Sequence, residues 1–142
     1  MRRHYAIWFL LASTIFCLFL AAKRPARAPS RSDIMLAPTM QAHYAEFNKK
    51  YFAGRLPKDT AVVWSTHYLR DAGDMGLTIP WKGSFTILLD YQMKTIDYEK
   101  VEDGTLIHEM SHVYCYPIMG HGKCFQGNML RIAKMGGLSQ IW

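Results

Sequence analysis

The sequence predicts a small α+β domain, a short antiparallel or mixed sheet packed on helices, with an apolar helix ahead of it at the N-terminus. Three observations carry this. An uncharged apolar run opens the chain. Short β-branched segments then sit between stretches whose apolar residues recur at helical spacing. The resulting order, helix, strand, hairpin, helix, helix, suits one sheet covered by helices. At 142 residues the chain has room for a single domain, and it contains no internal repeat.

Tyr5 to Ala22, "YAIWFLLASTIFCLFLAA", carries no charge and is flanked by Arg2 and Arg3 before it and by Lys23 and Arg24 after it. As a helix it would span about 27 Å, close to the hydrocarbon thickness of a bilayer. Residues 1–28 are therefore expected to be a signal peptide or an N-terminal membrane anchor, which makes the protein membrane-associated or exported. Ala26-Arg27-Ala28 fits a cleavage site. Lys23, Arg24 and Arg27 instead favour an uncleaved anchor with the domain on the cytoplasmic side. Both readings stay open. Residues 29–38, with Pro29, Pro38, Ser30 and Ser32, read as a linker, and residues 39–142 as the domain.

Thr39 is placed to cap a helix that runs to Ala53 and ends at Gly54. Met40, Tyr44, Phe47 and Tyr51 share its apolar face. Thr60 to Ser65, "TAVVWS", reads as a buried strand. Gly76 to Ile79 and Ser84 to Asp90 flank "PWKG", a turn, and form a hairpin. Tyr91 to Asp103 has no clean period and is expected to wrap back over the sheet. A helix starting at Asp103 or Thr105 runs through Tyr116 and stops at Pro117. Phe125, Met129, Ile132 and Ala133 mark a last helix, which Gly136 and Gly137 end.

The net charge of +6 resides mostly in Arg2, Arg3, Lys23, Arg24 and Arg27. From Pro29 onward 12 Lys/Arg face 11 Asp/Glu, leaving +1. A domain that binds a polyanion normally keeps its basic excess in the folded part. Of the three cysteines, Cys17 lies in the apolar run. No C-x-x-C pair occurs, which excludes a zinc ribbon.

The chemistry concentrates in "LIHEMSHVYCYPIMGHGKCF". His108 and His112, four residues apart on a helix, project from one face about 6 Å apart along the axis. Two imidazoles so placed can share a zinc ion, and Glu109 beside them can act as general base on the water that zinc activates. No Asp or Glu follows Glu109, so a downstream carboxylate ligand is excluded. The pattern H-E-x-x-H-x-x-G-x-x-H also fails, because Cys115 and Ile118 occupy its glycine and histidine positions. His121, bracketed by Gly120 and Gly122, is the remaining candidate for third ligand. Three histidines leave one position open for catalysis. His43 and His67 lack partners in sequence and read as structural or exposed. Cys115 and Cys124 each lie three residues past a candidate ligand. They read foremost as two small buried residues, with a disulfide or thiols competing for the metal as alternatives.

"FNKKYFAGRLP", "TLIHEMSHVY" and "HGKCFQGNMLRIAKMGG" resemble, in this order, segments of the SprT-like zinc metallopeptidase family, which includes the Spartan proteases of DNA–protein crosslinks. The resemblance extends from about Ile34 to Leu138. It implies a zincin-like fold, Zn2+ held by His108, His112 and His121, and Glu109 as catalytic base. Many bacterial members carry a C-terminal zinc ribbon, for which this chain has no cysteine pairs. The near-neutral domain also points away from nucleic acid.

The function expected is zinc-dependent endopeptidase activity on a polypeptide substrate, which would add as a strand along Ser84 to Asp90. Tyr114 and Tyr116 are the hydroxyls considered for the oxyanion. The alternatives are a zinc-stabilised binding module without turnover and a DNA-associated protease.

Overall fold

Side chains alternate between two faces along a strand, and two strands here are buried on both. In β2 (Ala61–Ser65), Val62 and Trp64 belong to the main core while Val63 belongs to a second, smaller cluster. In β4 (Ser84–Asp90), Phe85, Ile87 and Leu89 join the main core and Leu88 the smaller one. A sheet buried on both faces needs cover on both.

The computed structural model describes residues 28–95, 99–118 and 120–139. The apolar run Tyr5 to Ala22 lies outside the described residues. Among those residues no helix is long and apolar enough to cross a membrane.

Four strands form one mixed sheet. Besides β2 and β4 these are β1 (Ile34–Leu36) and β3 (Gly76–Trp81), in the order β1-β2-β4-β3. β1 runs antiparallel to β2, β2 parallel to β4, and β3 antiparallel to β4. The hairpin is as expected, but its strand runs through Trp81. The turn is Lys82-Gly83, both at positive φ, the type I′ geometry that matches strand twist.

Two expectations are corrected here. Ser84 to Asp90 pairs on both sides and is closed to an added strand; among the described residues the open edges belong to β1 and β3. Ile34 to Leu36, in the stretch read as linker, is a strand. All three of its residues are exposed, so no burial pattern marked it, and it is held by backbone pairing.

Five α-helices among the described residues complete the fold. α1 (Pro38–Phe52) starts with proline at its first turn, where a missing N–H is tolerated. It buries Met40, Tyr44, Phe47 and Tyr51, as its spacing predicts, together with Phe52. Buried Asn48 holds the chain after α1: its Nδ2 donates to Leu56 O at 3.0 Å and its Oδ1 accepts from Leu56 N at 3.1 Å. A short α2 (Tyr68–Ala72) covers the far face with Leu69. It was not anticipated, because five residues are too few to show a period.

α3 (Gln92–Thr95) leads into α4 (Glu99–Cys115), which begins four residues before Asp103. α5 (Lys123–Lys134) packs on α4. The two are joined by a polar chain that starts at exposed Arg131 and runs to buried Asn128 and Ser111. Arg131 Nη2 donates to Asn128 Oδ1 at 2.7 Å, Asn128 Nδ2 to Ser111 Oγ at 2.8 Å, and Ser111 Oγ to Ile107 O at 2.9 Å.

Candidate metal centre and its cleft

The spacing of His108 and His112 puts both rings on one side of α4, with Nε2 atoms 3.3 Å apart. The chain leaves α4 at Cys115, turns, and returns at α5, which brings His121 Nε2 to 3.0 Å from His108 Nε2. One ligand nitrogen from each of the three lies within 4.8 Å of the others. The three sequence-predicted ligands are thus brought together.

Phe125, one turn into α5, lies beneath all three. Its ring centroid is 4.7 Å from that of His108, 4.6 Å from His112 and 4.6 Å from His121. It is stacked on His112 and limits how far any of the rings can swing away. The spacing of His121 and Phe125 in "HGKCF" is the signal that marks it.

Cys115 and Cys124 form a disulfide, so the favoured reading as two separate buried residues is not met. Nor are they thiols that compete for a metal. The bridge ties the end of α4 to the start of α5 and closes the loop that carries His121.

Could this set hold zinc? Tetrahedral Zn–N bonds of about 2.0–2.1 Å place ligand nitrogens about 3.3 Å apart, against the 3.0 and 3.3 Å found here. Burial, followed by repulsion from His112 and His121, lowers the His108 pKa to about 4. Burial and His121 lower that of His112. Both imidazoles are therefore neutral at pH 7, with lone pairs free to coordinate. Three imidazoles suit zinc among common cations. One atom departs from the usual pattern: His112 Nδ1 is buried and has no hydrogen-bond partner among the described residues, where a ligating histidine commonly donates to a carbonyl or carboxylate.

Glu109 points the other way across the site, toward β3. It is only 5% exposed. Thr78 Oγ1 donates to its Oε2 at 2.7 Å, and Glu109 O lies 3.1 Å from the same hydroxyl. Burial raises the Glu109 pKa to about 7, aided by the charge of Asp74 and opposed by the Thr78 hydrogen bond. A carboxyl that titrates near neutrality can both take and return a proton at physiological pH.

β3 can approach this closely because residue 76 is glycine. A Cβ there would lie 2.8 Å from Glu109 Oε1 and 2.9 Å from both Glu109 Cγ and Thr105 Cγ2. Gly76 and Thr78 on β3, and Asp74 just before it, are neighbours of the site that sequence reasoning missed, since they are distant in sequence from the motif.

The two walls enclose a cleft of ≈ 440 Å³. Asp74 to Thr78 line one side, and Gly104, Thr105, His108, Glu109, His112 and His121 the other. Tyr114 and Tyr116 do not line it. Tyr114 OH meets Arg55, and Tyr116 packs edge-on against Phe85. Neither is placed as an oxyanion donor. His43 Nδ1 pairs with Asp103 Oδ1 at 2.6 Å and His67 contacts Arg70, both outside the histidine cluster, as expected of structural or exposed histidines.

No curated protein matches the chain. The family model described as "SprT-like family" matches residues 40–141, a span that contains β3, α4, the His121 loop and α5. The chain therefore belongs to the SprT-like family, which is generally of metallopeptidase type.

Proposed function

We propose that the domain is a zinc-dependent endopeptidase, with His108, His112 and His121 as metal ligands and Glu109 as general base. One observation carries the reading: a buried carboxylate and three converging imidazoles line the same cleft, beside a strand edge that is unpaired among the described residues. Bound zinc supplies a Lewis acid that polarises a carbonyl and acidifies a water.

The chain's own groups do the rest. Met75 O accepts from Asp90 N at 2.9 Å, and Trp81 faces Ser84 across the two-residue turn. Bonded pairs alternate along an antiparallel ladder. Met75, Leu77, Ile79 and Trp81 therefore bond to β4, and the main-chain groups of Gly76, Thr78 and Pro80 turn to the open edge. Pro80 fits, since its missing N–H would have faced solvent. A substrate strand adds along this edge, with its scissile carbonyl over the histidines. Glu109 takes a proton from the attacking water as the new C–O bond forms. It then gives the proton to the amine nitrogen as the C–N bond breaks.

The Cys115–Cys124 disulfide supports a further part of this reading, that the domain works in an oxidising compartment outside the cytosol. That agrees with the signal-peptide reading of residues 1–28 and not with an anchor that leaves the domain on the cytoplasmic side.

The test uses zinc-loaded protein and an unfolded polypeptide. Glu109→Gln should keep its zinc and lose roughly 10²–10⁴-fold in cleavage rate. Full activity in that variant overturns the assignment. A zinc-loaded wild type that cleaves nothing favours the binding module instead.

A further inference from the structure

Thr78 stands at a junction. Its side chain points into the domain and is 6% exposed, while its N–H and C=O face the open edge of β3. The hydroxyl has one proton and two acceptors within reach, Glu109 Oε2 at 2.7 Å and Glu109 O at 3.1 Å. The shorter contact is to the carboxylate. Gly76, one pleat earlier on the same face, leaves the other carboxylate oxygen, Oε1, in space that a Cβ would claim. Glu109 thus meets two successive inward positions of a single strand, one by hydrogen bond to Oε2 and one through the room a glycine leaves for Oε1.

We propose that Thr78 is a positioning residue for the hydrolysis, coupling substrate register to the general base. Its hydroxyl sets the orientation of the Glu109 carboxylate, and its main-chain N–H and C=O hold the substrate strand at the adjoining edge position. One residue then fixes the distance between base and scissile bond. Reaction rates fall steeply when reacting groups are misplaced by about 1 Å. Two groups anchored to the same Cα cannot drift apart by sliding of a strand or helix. A threonine serves both ends: it favours strand geometry and supplies a hydroxyl of fixed reach.

This inference rests on the peptidase reading, and its two roles separate by substitution. Thr78→Val keeps the shape, the β-branch and the main chain but removes the hydroxyl. It should lower kcat about 10–100-fold, in the range for supporting residues of metal sites, with KM and bound zinc unchanged. Thr78→Ser restores the hydroxyl and should recover most of kcat. A Val variant with wild-type kcat overturns the proposal. So does a Ser variant as slow as Val, or a loss confined to KM.

A second measurement does not depend on turnover. In crystal structures of the metal-free proteins, the Glu109 carboxylate should leave its place against Gly76 in Thr78→Val and keep it in Thr78→Ser. An unmoved carboxylate in the Val variant overturns the positioning role. Wild-type protein that binds zinc and cleaves nothing defeats the peptidase reading by itself, and the crystallographic comparison then still decides whether Thr78 positions Glu109.

Discussion

The two walls of the cleft are built in different ways. The metal wall comes from one short stretch: His108 and His121 are 13 residues apart, and α4, a disulfide-closed loop and α5 bring them together. The base wall joins residues 31 apart, Thr78 on β3 and Glu109 on α4, through a glycine that contributes only the absence of a side chain. The first wall is a pattern of histidines placed to hold a metal ion, and the second is a packing contact between a helix and a strand edge. Damage to them should therefore separate, the first losing metal and activity together, the second losing activity alone.

The largest effect is expected on the metal wall. His121 is exposed, so His121→Ala should fold normally. Removing a ligand should weaken metal binding by more than about 100-fold, beyond the range for supporting residues, and abolish cleavage. Competition with a chelator of known affinity, with circular dichroism as the check on folding, measures this. Unchanged affinity would mean that His121 lies near the site without being part of it.

On the base wall, Gly76→Ala is the matching change. The new methyl would overlap Glu109 and Thr105, so either the carboxylate or β3 must move. Cleavage should drop by roughly 100-fold, with overpacking costing about 1–3 kcal/mol of stability. Zinc content should hold, because no ligand is touched. Loss of metal together with activity would show that the two walls are not separable.

The same contrast explains what was legible in the sequence. His108, Glu109, His112 and His121 could be placed because helix periodicity and the glycines around His121 are local signals. The apolar face of α1 was legible for the same reason, and that of α5 at Phe125, Met129 and Ile132 but not at Ala133, which is exposed. Thr78 and Gly76 were not, since their significance arises only when β3 lies against α4, a contact that no local period encodes. β1 escaped because its exposed Ile34, Met35 and Leu36 show no alternation. The central place of β4 escaped because strand order depends on crossovers, and a doubly buried strand such as "SFTILLD" reads the same at an edge as in the middle. The state of Cys115 and Cys124 depended on the return of α5 across α4, again a tertiary fact.

The disulfide offers an intermediate test that bears on the metal wall alone. It closes a loop of sequence separation 9, and constraining an unfolded loop of that size stabilises a fold by about 2–3 kcal/mol. Replacing Cys115 and Cys124 with serine should lower urea stability by that order. It should also weaken zinc binding, since the His121 loop loses its tether, while Glu109 keeps its contact with Thr78. Zinc affinity equal to wild type would show that Phe125 and α5 hold His121 without the bridge.

The smallest effect concerns the base wall in metal-free protein, and its sign follows from burial. A free glutamate titrates near 4.5, whereas folded Glu109 titrates at about 7 because burial penalises its charge. Between these values the folded state keeps a proton that the unfolded state has lost. The contribution of Glu109 to stability is thus fully present below pH 4.5 and is lost as pH rises through about 7. Glutamine fills the same space, can accept the same Thr78 hydrogen bond and never ionises. Metal-free Glu109→Gln should therefore match wild type near pH 4.5 and exceed it by about 1–3 kcal/mol at pH 8. His108 and His112 titrate in both proteins, so their shifts largely cancel in the difference. Urea unfolding of chelated protein at the two pH values reads this directly. A pH-independent difference would mean that the carboxylate stays solvated, and the base wall would then be looser than the Gly76 and Thr78 contacts require.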